Sequence, residues 1–90
     1  MNDRDQGGVA SAVDSRDTGP YRFFFYSFDC NEPPHVHVER DAATCKFWLG
    51  PLILARSRGF APHELNRVRS TIQEHLTEIQ DAWRKHCGPS

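Results

Sequence analysis

The stretch that decides the fold lies near the middle of the chain and reads Pro33-Pro34-His35-Val36-His37-Val38-Glu39. Its prolines exclude a helix and favour an extended backbone, and the alternation after them is typical of a half-buried strand. Because successive strand side chains point to opposite faces, His35, His37 and Glu39 share one face and the valines share the other. We expect the valines to pack on the core, which leaves the polar face as the first candidate for chemistry.

Further strands flank this stretch on both sides. Residues 21–27 are dense in aromatic side chains, which favour strands, and residues 29–34 hold turn formers and prolines that separate two strands. After a short turn at 41–43, residues 44–49 alternate again and predict the second arm of an antiparallel hairpin. Residues 52–55 form a short apolar run whose length does not decide between a strand and a helical turn.

The last third of the chain has the period of a helix. Apolar side chains recur at steps of 3, 4, 4, 3 and 4 residues, which is one stripe of an α-helix. They are Leu65, Val68, Ile72, Leu76, Ile79 and Trp83. The sequence therefore predicts an α+β domain, in which a three- to four-stranded antiparallel sheet packs against one long C-terminal helix. Trp83 either covers the edge of the sheet or meets a second copy of the chain in a homodimer.

A chain of 90 residues has room for one domain. Residues 1–20 have few apolar side chains and no periodicity, so we predict a mobile tail over 1–20 and a single domain over 21–88. The three cysteines are widely spaced without a CxxC pair, which indicates neither a disulfide framework nor a zinc finger. The sequence has no signal peptide and no apolar run of membrane length, so a reducing, cytoplasmic location is expected.

The charge of the chain is nearly balanced, because 11 basic residues oppose 12 acidic ones. The total therefore gives no argument for nucleic acid as a partner. The local distribution differs, since four cations with one opposing acid lie between residues 40 and 58. They are Arg40, Lys46, Arg56 and Arg58. These side chains are candidates for binding a phosphate-bearing substrate, and the alternative is a solvated rim.

Two imidazoles on one strand face allow three interpretations. As base and acid, His35 and His37 could cleave an RNA phosphodiester through its 2′-hydroxyl without a metal, while the nearby cations hold the phosphate. As ligands, His35 and His37 could bind zinc or another divalent metal together with Glu39, or with Asp41, His63 or His75 in its place. In the third interpretation the histidines stack on aromatic neighbours at a sheet surface or a partner interface, and no cofactor is needed.

The sequence resembles a bacterial family, the domain of unknown function 4160. The resemblance covers about residues 20–87 and rests on the aromatic strand, the Pro-Pro-His-Val-His-Val run, the Lys-Phe-Trp-Leu strand at 46–49, the segments at 54–56 and 59–60, and a helix that ends in Trp83. It implies a short cytoplasmic protein encoded beside a second small family, the domain of unknown function 2442, as in a toxin–antitoxin pair. It implies no catalytic residues.

The leading hypothesis is therefore a toxin-like component of such a pair that acts on RNA or translation through the face of His35 and His37. The alternative is a non-enzymatic module that binds a cognate small protein. A metal-binding protein is the third hypothesis.

Overall fold

The computed structural model describes residues 9–12 and 18–88 of the chain, with side chains for 18–88. Its strands are β1 (Val9–Ala12), β2 (Arg22–Tyr26), β3 (His35–Arg40), β4 (Ala43–Leu49) and β5 (Leu52–Arg58). A 3-10 turn at Asp29–Asn31 separates β2 from β3. The helices α1 (Pro62–Glu74) and α2 (Leu76–Cys87) follow β5.

The strands described form one antiparallel sheet in the order β1-β2-β3-β4-β5, so each strand pairs with the next along the chain. The predicted hairpin is present and sets His35 opposite Trp48 and His37 opposite Lys46. Residues 52–55, which the sequence left undecided, belong to the strand β5. The α+β class and the antiparallel sheet are confirmed.

The predicted mobile tail lies for the most part outside the described residues. Two parts of it are described, and both contact the domain. The backbone of Val9–Ala12 pairs with β2. Thr18 is buried, and its hydroxyl donates a hydrogen bond to the Tyr21 carbonyl oxygen at 3.0 Å. Elsewhere between residues 1 and 20 the mobile tail stays a prediction.

The core lies between one face of the sheet and the two helices. Val36 and Val38 are fully buried in it, as the alternation predicts. Its other buried members are Tyr21, Phe23, Phe25, Cys45, Phe47, Leu49, Phe60, Val68, Ile72, Ile79 and Trp83. The Trp83 ring stands edge-on at 5.5 Å from the Phe25 ring, so it packs inside its own chain. A homodimer stays a prediction, but the buried Trp83 ring does not offer it a contact surface.

The prediction of one long helix is wrong, because the backbone leaves helical geometry at His75 (φ −116°, ψ 22°). The apolar stripe continues across the break, with Val68 and Ile72 buried from α1 and Ile79 and Trp83 from α2. A straight helix over residues 62–87 would measure about 39 Å, whereas the longest dimension of the molecule is 37 Å. The break at His75 keeps the apolar side chains of both helices on the sheet. The periodicity of the side chains does not reveal this break.

A disulfide joins Cys30, in the 3-10 turn, to Cys87, at the end of α2. The prediction that the chain has no disulfide is wrong. The spacing of the cysteines does not predict this bond, because Cys30 and Cys87 are 57 positions apart in the sequence. They meet only because α2 returns to the turn. Within residues 18–88, neither helix combines the length and the apolar character that crossing a membrane requires. The cytoplasmic location stays a prediction.

A polar network ties α1 to the sheet. Glu64, in the first turn of α1, accepts hydrogen bonds from the Arg40 guanidinium and from the Tyr21 hydroxyl, the latter at 3.2 Å. The hydrogen bond from Arg40 lowers the pKa of the Glu64 carboxyl, although partial burial opposes it. The network also raises the pKa of Tyr21, for which burial is the larger cause.

Replacing Glu64 by Gln should therefore destabilise the protein in a pH-dependent way. A carboxyl whose pKa is lower in the folded state stabilises it above the unfolded pKa of about 4.3, and this contribution is lost as the pH falls. We expect the urea midpoint of Glu64→Gln to lie below that of the wild type at pH 7 and the two to converge toward about pH 3. A difference that stays constant across this range would contradict the assignment.

Candidate functional site

The sheet face opposite the core, called the outer face below, carries the histidines. Its side chains include Phe24, Tyr26, His35, His37, Lys46, Trp48, Ile53, Arg56 and Arg58. Lys46 pairs with Arg56 while Phe47 pairs with Leu54, so Ala55 is an extra residue in β5. A shift of one residue exchanges the two faces of a strand. The bulge at Ala55 therefore places Arg56 and Arg58 on the outer face while Leu52 and Leu54 pack toward the core.

The turn after β2 folds over the outer face and brings a carboxylate to both histidines. Asp29 is buried, and its Oδ2 accepts a hydrogen bond from the Tyr26 backbone N–H at 2.7 Å. The same oxygen lies 3.0 Å from His37 Nε2, and Oδ1 lies 3.0 Å from His35 Nε2. His35 Nδ1 lies 2.9 Å from the Pro33 carbonyl oxygen, to which it donates. The predicted sharing of one face is confirmed, and Asp29 stands between the two rings.

Aromatic rings enclose both imidazoles. The His35 ring has a relative exposure of 0% and lies 5.5 Å from the Trp48 ring and 5.1 Å from the Trp83 ring. The His37 ring stacks on Phe24 at 5.5 Å and has a relative exposure of 8%. The two imidazoles are 5.1 Å apart, edge to face. Of the two imidazoles, only His37 therefore has area exposed to solvent.

The electrostatics of the site follow from burial and from the shared carboxylate. Burial lowers the pKa of His37, and the hydrogen bond to Asp29 opposes this shift only in part. Burial alone would raise the pKa of the Asp29 carboxyl, but the Tyr26 N–H and the two imidazoles lower it further than burial raises it. The site thus holds an ionised carboxylate beside a His37 that favours its neutral form near pH 7.

Three of the four predicted cations come together at the site. Lys46, Arg56 and Arg58 line a groove of about 320 Å³ together with Phe24, Tyr26, His37, Thr44, Cys45 and Ser57. The Lys46 ammonium is held by Glu32 at 2.6 Å and lies 4.4 Å from the Trp48 ring centre. Arg40 points to the opposite face, where it pairs with Glu64. Arg40 is therefore not brought to the groove.

Glu39, the third metal ligand predicted with His35 and His37, is not brought to them. Its carboxylate pairs with Arg22 at 2.8 Å. Asp29 is the carboxylate that the fold brings to the two histidines, since one ligand atom each from Asp29, His35 and His37 lies within 4.8 Å of the others. From the sequence, Asp29 is expected only to form a turn. The sequence does show a carboxylate in the turn before the His-x-His strand, and this was the available signal for a contact. Only the folded turn shows that the carboxylate reaches the two histidines.

The thiol of Cys45 has no part in this chemistry. It is buried on the core side of β4, and burial raises its pKa to about 12. A thiol of that pKa stays protonated and unreactive at neutral pH. Cys45 is a small core residue, as its position on an alternating strand suggests.

The model of the family described as Domain of unknown function (DUF4160) matches residues 21–84. No curated protein and no solved structure gives a significant match. The matched range contains all of β2 to β5 and α1, the Asp29 turn and both histidines, so the resemblance found in the sequence is confirmed. The chain belongs to the family Domain of unknown function (DUF4160).

Proposed function

We propose that this chain binds single-stranded RNA in the groove of the outer face and acts as the toxin-like member of a two-protein module. The observation that carries the proposal is the groove itself, where two exposed arginines adjoin aromatic rings and an imidazole. Proteins that bind single strands combine cations for the phosphates with aromatic side chains on which bases stack.

The cations of the groove differ in their availability. Arg56 and Arg58 are exposed, and neither forms an ion pair within residues 18–88. Lys46 is buried and engaged with Glu32, so it contributes to the shape of the groove more than to its free charge. A chain with a net charge near zero can bind RNA if cations without an acidic partner lie side by side. The reason is that salt screens the attraction between a cation and a phosphate at longer distances.

Aromatic side chains extend the groove at one end. The Tyr26 ring lines the groove, and the Phe28 ring stacks on it at 5.5 Å with an angle of 4° between the planes. Phe28 has a relative exposure of 58%, so one side of its ring is open to solvent. A base can stack on the free face of this ring while its phosphates reach Arg56 and Arg58.

Cleavage of the RNA is a separate step of the proposal. Two-imidazole catalysis needs both rings in contact with the substrate, and His35 has no exposed area. The catalytic role predicted for His35 and His37 stays a prediction, and we assign ligand contact to His37 alone. Binding without turnover is the activity that this geometry favours.

The test is binding of a labelled single-stranded RNA of mixed sequence, followed by fluorescence anisotropy at several salt concentrations. We expect saturable binding by the wild type and weaker binding by the double variant Arg56→Ala/Arg58→Ala. Each phosphate contact contributes about 0.7 to the slope of log K against log salt for single strands, so the slope should fall by about 1.4. Shortened RNA at the end of the titration would add cleavage to the activity.

The matched control is Arg67→Ala/Lys85→Ala, which removes the same charge from exposed positions on α1 and α2. This variant should bind RNA as the wild type does. Equal losses in both double variants would show attraction by net charge and would contradict a groove site.

A second candidate function is a module that binds a cognate small protein, the member of the domain of unknown function 2442 family that the resemblance implies. It is supported by Phe28 and Ile53, which have relative exposures of 58% and 51%. Failure of the wild type to bind RNA, together with a stable complex with the product of the adjacent gene, would favour this candidate. In the leading proposal, the same partner relieves growth inhibition caused by the chain alone.

A further inference from the structure

We propose that Asp29, His35 and His37 form a binding site for one divalent transition-metal ion. The inference does not depend on RNA binding, and it replaces the ligand set that the sequence suggested with a different carboxylate. Two imidazoles and one carboxylate are a donor set that suits zinc, iron and cobalt.

The separations of the donor atoms fit one ion. Ligands that lie about 2.1 Å from a metal, at angles between 90° and 110°, are about 3.0–3.4 Å from each other. The Asp29 oxygens lie 3.0 Å from His35 Nε2 and 3.0 Å from His37 Nε2. The separation of all three donors stays within 4.8 Å. Binding of one ion would bring donors that now lie within 4.8 Å of each other to about 3.4 Å, a movement of up to about 1.4 Å.

The hydrogen bonding of His35 suits a metal ligand. Its Nδ1–H donates to the Pro33 carbonyl oxygen, the outer contact that commonly fixes the ring of a metal-bound histidine. This hydrogen bond leaves the lone pair of a neutral ring on Nε2. That nitrogen is fully buried and faces Asp29 Oδ1 at 3.0 Å.

A buried nitrogen of this kind needs a cation. A neutral His35 would direct a lone pair into a pocket that already holds the Asp29 carboxylate, and two acceptors cannot satisfy each other. The alternatives are a metal ion shared with His37 or a proton on Nε2, which would make a buried imidazolium–carboxylate pair. His37 satisfies its own contact when it donates from Nε2 to Asp29 Oδ2, so an ion would bind the His37 tautomer that is protonated on Nδ1.

The surroundings hold Asp29 in position. Its carboxylate accepts the Tyr26 N–H, and its carbonyl oxygen accepts the Glu32 N–H at 3.0 Å. The neighbouring Cys30 is tied to α2 by the disulfide. The carboxylate is thus positioned before an ion arrives, which lowers the cost of binding.

A second group of donors, Cys30, His86 and Cys87, lies close by. It carries no proposal, because the sulfurs are bonded to each other and His86 Nε2 already donates to the Tyr26 carbonyl oxygen at 2.9 Å. Thiolates released by reduction would be strong zinc ligands. The experiment must therefore use the oxidised protein.

The test is titration of untagged, oxidised, metal-free protein with Zn²⁺ in competition with a chromophoric chelator, and with Co²⁺ followed by its visible absorption. We expect one equivalent of metal per chain, a higher Tm with Zn²⁺, and a cobalt spectrum of nitrogen and oxygen ligation without thiolate bands. Asp29→Asn, which preserves an acceptor oxygen for the Tyr26 N–H, and His37→Gln should each weaken binding by about 100-fold or more.

The matched control is Glu39→Gln, the same kind of change at a carboxylate on the same strand that pairs with Arg22 instead. Its affinity should equal that of the wild type. The proposal is overturned if the oxidised wild type binds no stoichiometric metal, which would leave an imidazolium–carboxylate pair. It is also overturned if Glu39→Gln loses as much affinity as Asp29→Asn, or if both site variants fold and bind as the wild type does.

Discussion

Removing the disulfide by the double substitution Cys30→Ser/Cys87→Ser should lower the free energy of unfolding by about 4 kcal/mol. The bond joins residues 57 positions apart and so closes a loop through most of the domain. In the chain-entropy account, the stabilisation grows with the logarithm of loop length, because a longer loop removes more freedom from the unfolded chain. A domain of this size has a total stability of roughly 4–10 kcal/mol, so the double variant should approach the threshold of folding.

Urea denaturation monitored by tryptophan fluorescence measures this effect, since Trp48 and Trp83 both lie near the site. The wild type treated with a reductant should behave as the double variant does. Cys45 is a matched internal control, because it is a free buried thiol and reductant does not change it. Equal urea midpoints for the oxidised wild type and the double variant would show that the unfolded chain is already compact and that the bond constrains little.

The disulfide also bears on the site. Cys30 follows Asp29 directly, so the bond anchors the turn that carries the carboxylate to the end of α2. A reducing compartment keeps cysteine thiols such as those of Cys30 and Cys87 reduced. In the cytoplasmic location that we predict, the Asp29 turn would therefore depend on its noncovalent contacts, among them the hydrogen bonds to Tyr26, Glu32 and His37.

The strands and their facing were readable from the sequence because each depends on local information. Alternation over 35–39 placed His35 and His37 on one side and the valines on the other, and pairing with β4 required only a short turn. The helical stripe likewise gave the buried residues of α1 and α2 correctly. The spacing of apolar side chains shows which residues face the core, but it does not show whether the helix is continuous between them.

What the sequence could not reveal depends on contacts between distant segments. The reach of Asp29 to the histidines needs the geometry of the turn, and the pairing of Cys30 with Cys87 needs the path of α2. Burial of His35 comes from Trp48 and Trp83, which are 35 positions apart. The bulge at Ala55 was also invisible, although it decides that Arg56 and Arg58 face the groove. The candidate site is thus built from tertiary contacts on a scaffold set by local pattern.

The second large effect is expected from the core. Phe47 sits in β4, between β3 and β5, where it pairs with Val36 and Leu54, and it has no exposed area. Truncation to Ala removes the ring and leaves a cavity that a close-packed interior fills only in part. The cost of Phe47→Ala should be about 3–5 kcal/mol.

Phe28→Ala is the matched control, since it makes the same chemical change at a ring with 58% relative exposure. Surface substitutions of this kind change stability by about 0.5 kcal/mol or less. We expect the urea midpoint of Phe28→Ala to stay near that of the wild type while Phe47→Ala shifts strongly or fails to fold. The same pair separates fold from function, because Phe28→Ala should weaken RNA binding by removing a stacking surface worth about 1–3 kcal/mol per base. A large loss of stability in Phe28→Ala would instead show that its ring is part of the packing that holds the Asp29 turn on the sheet.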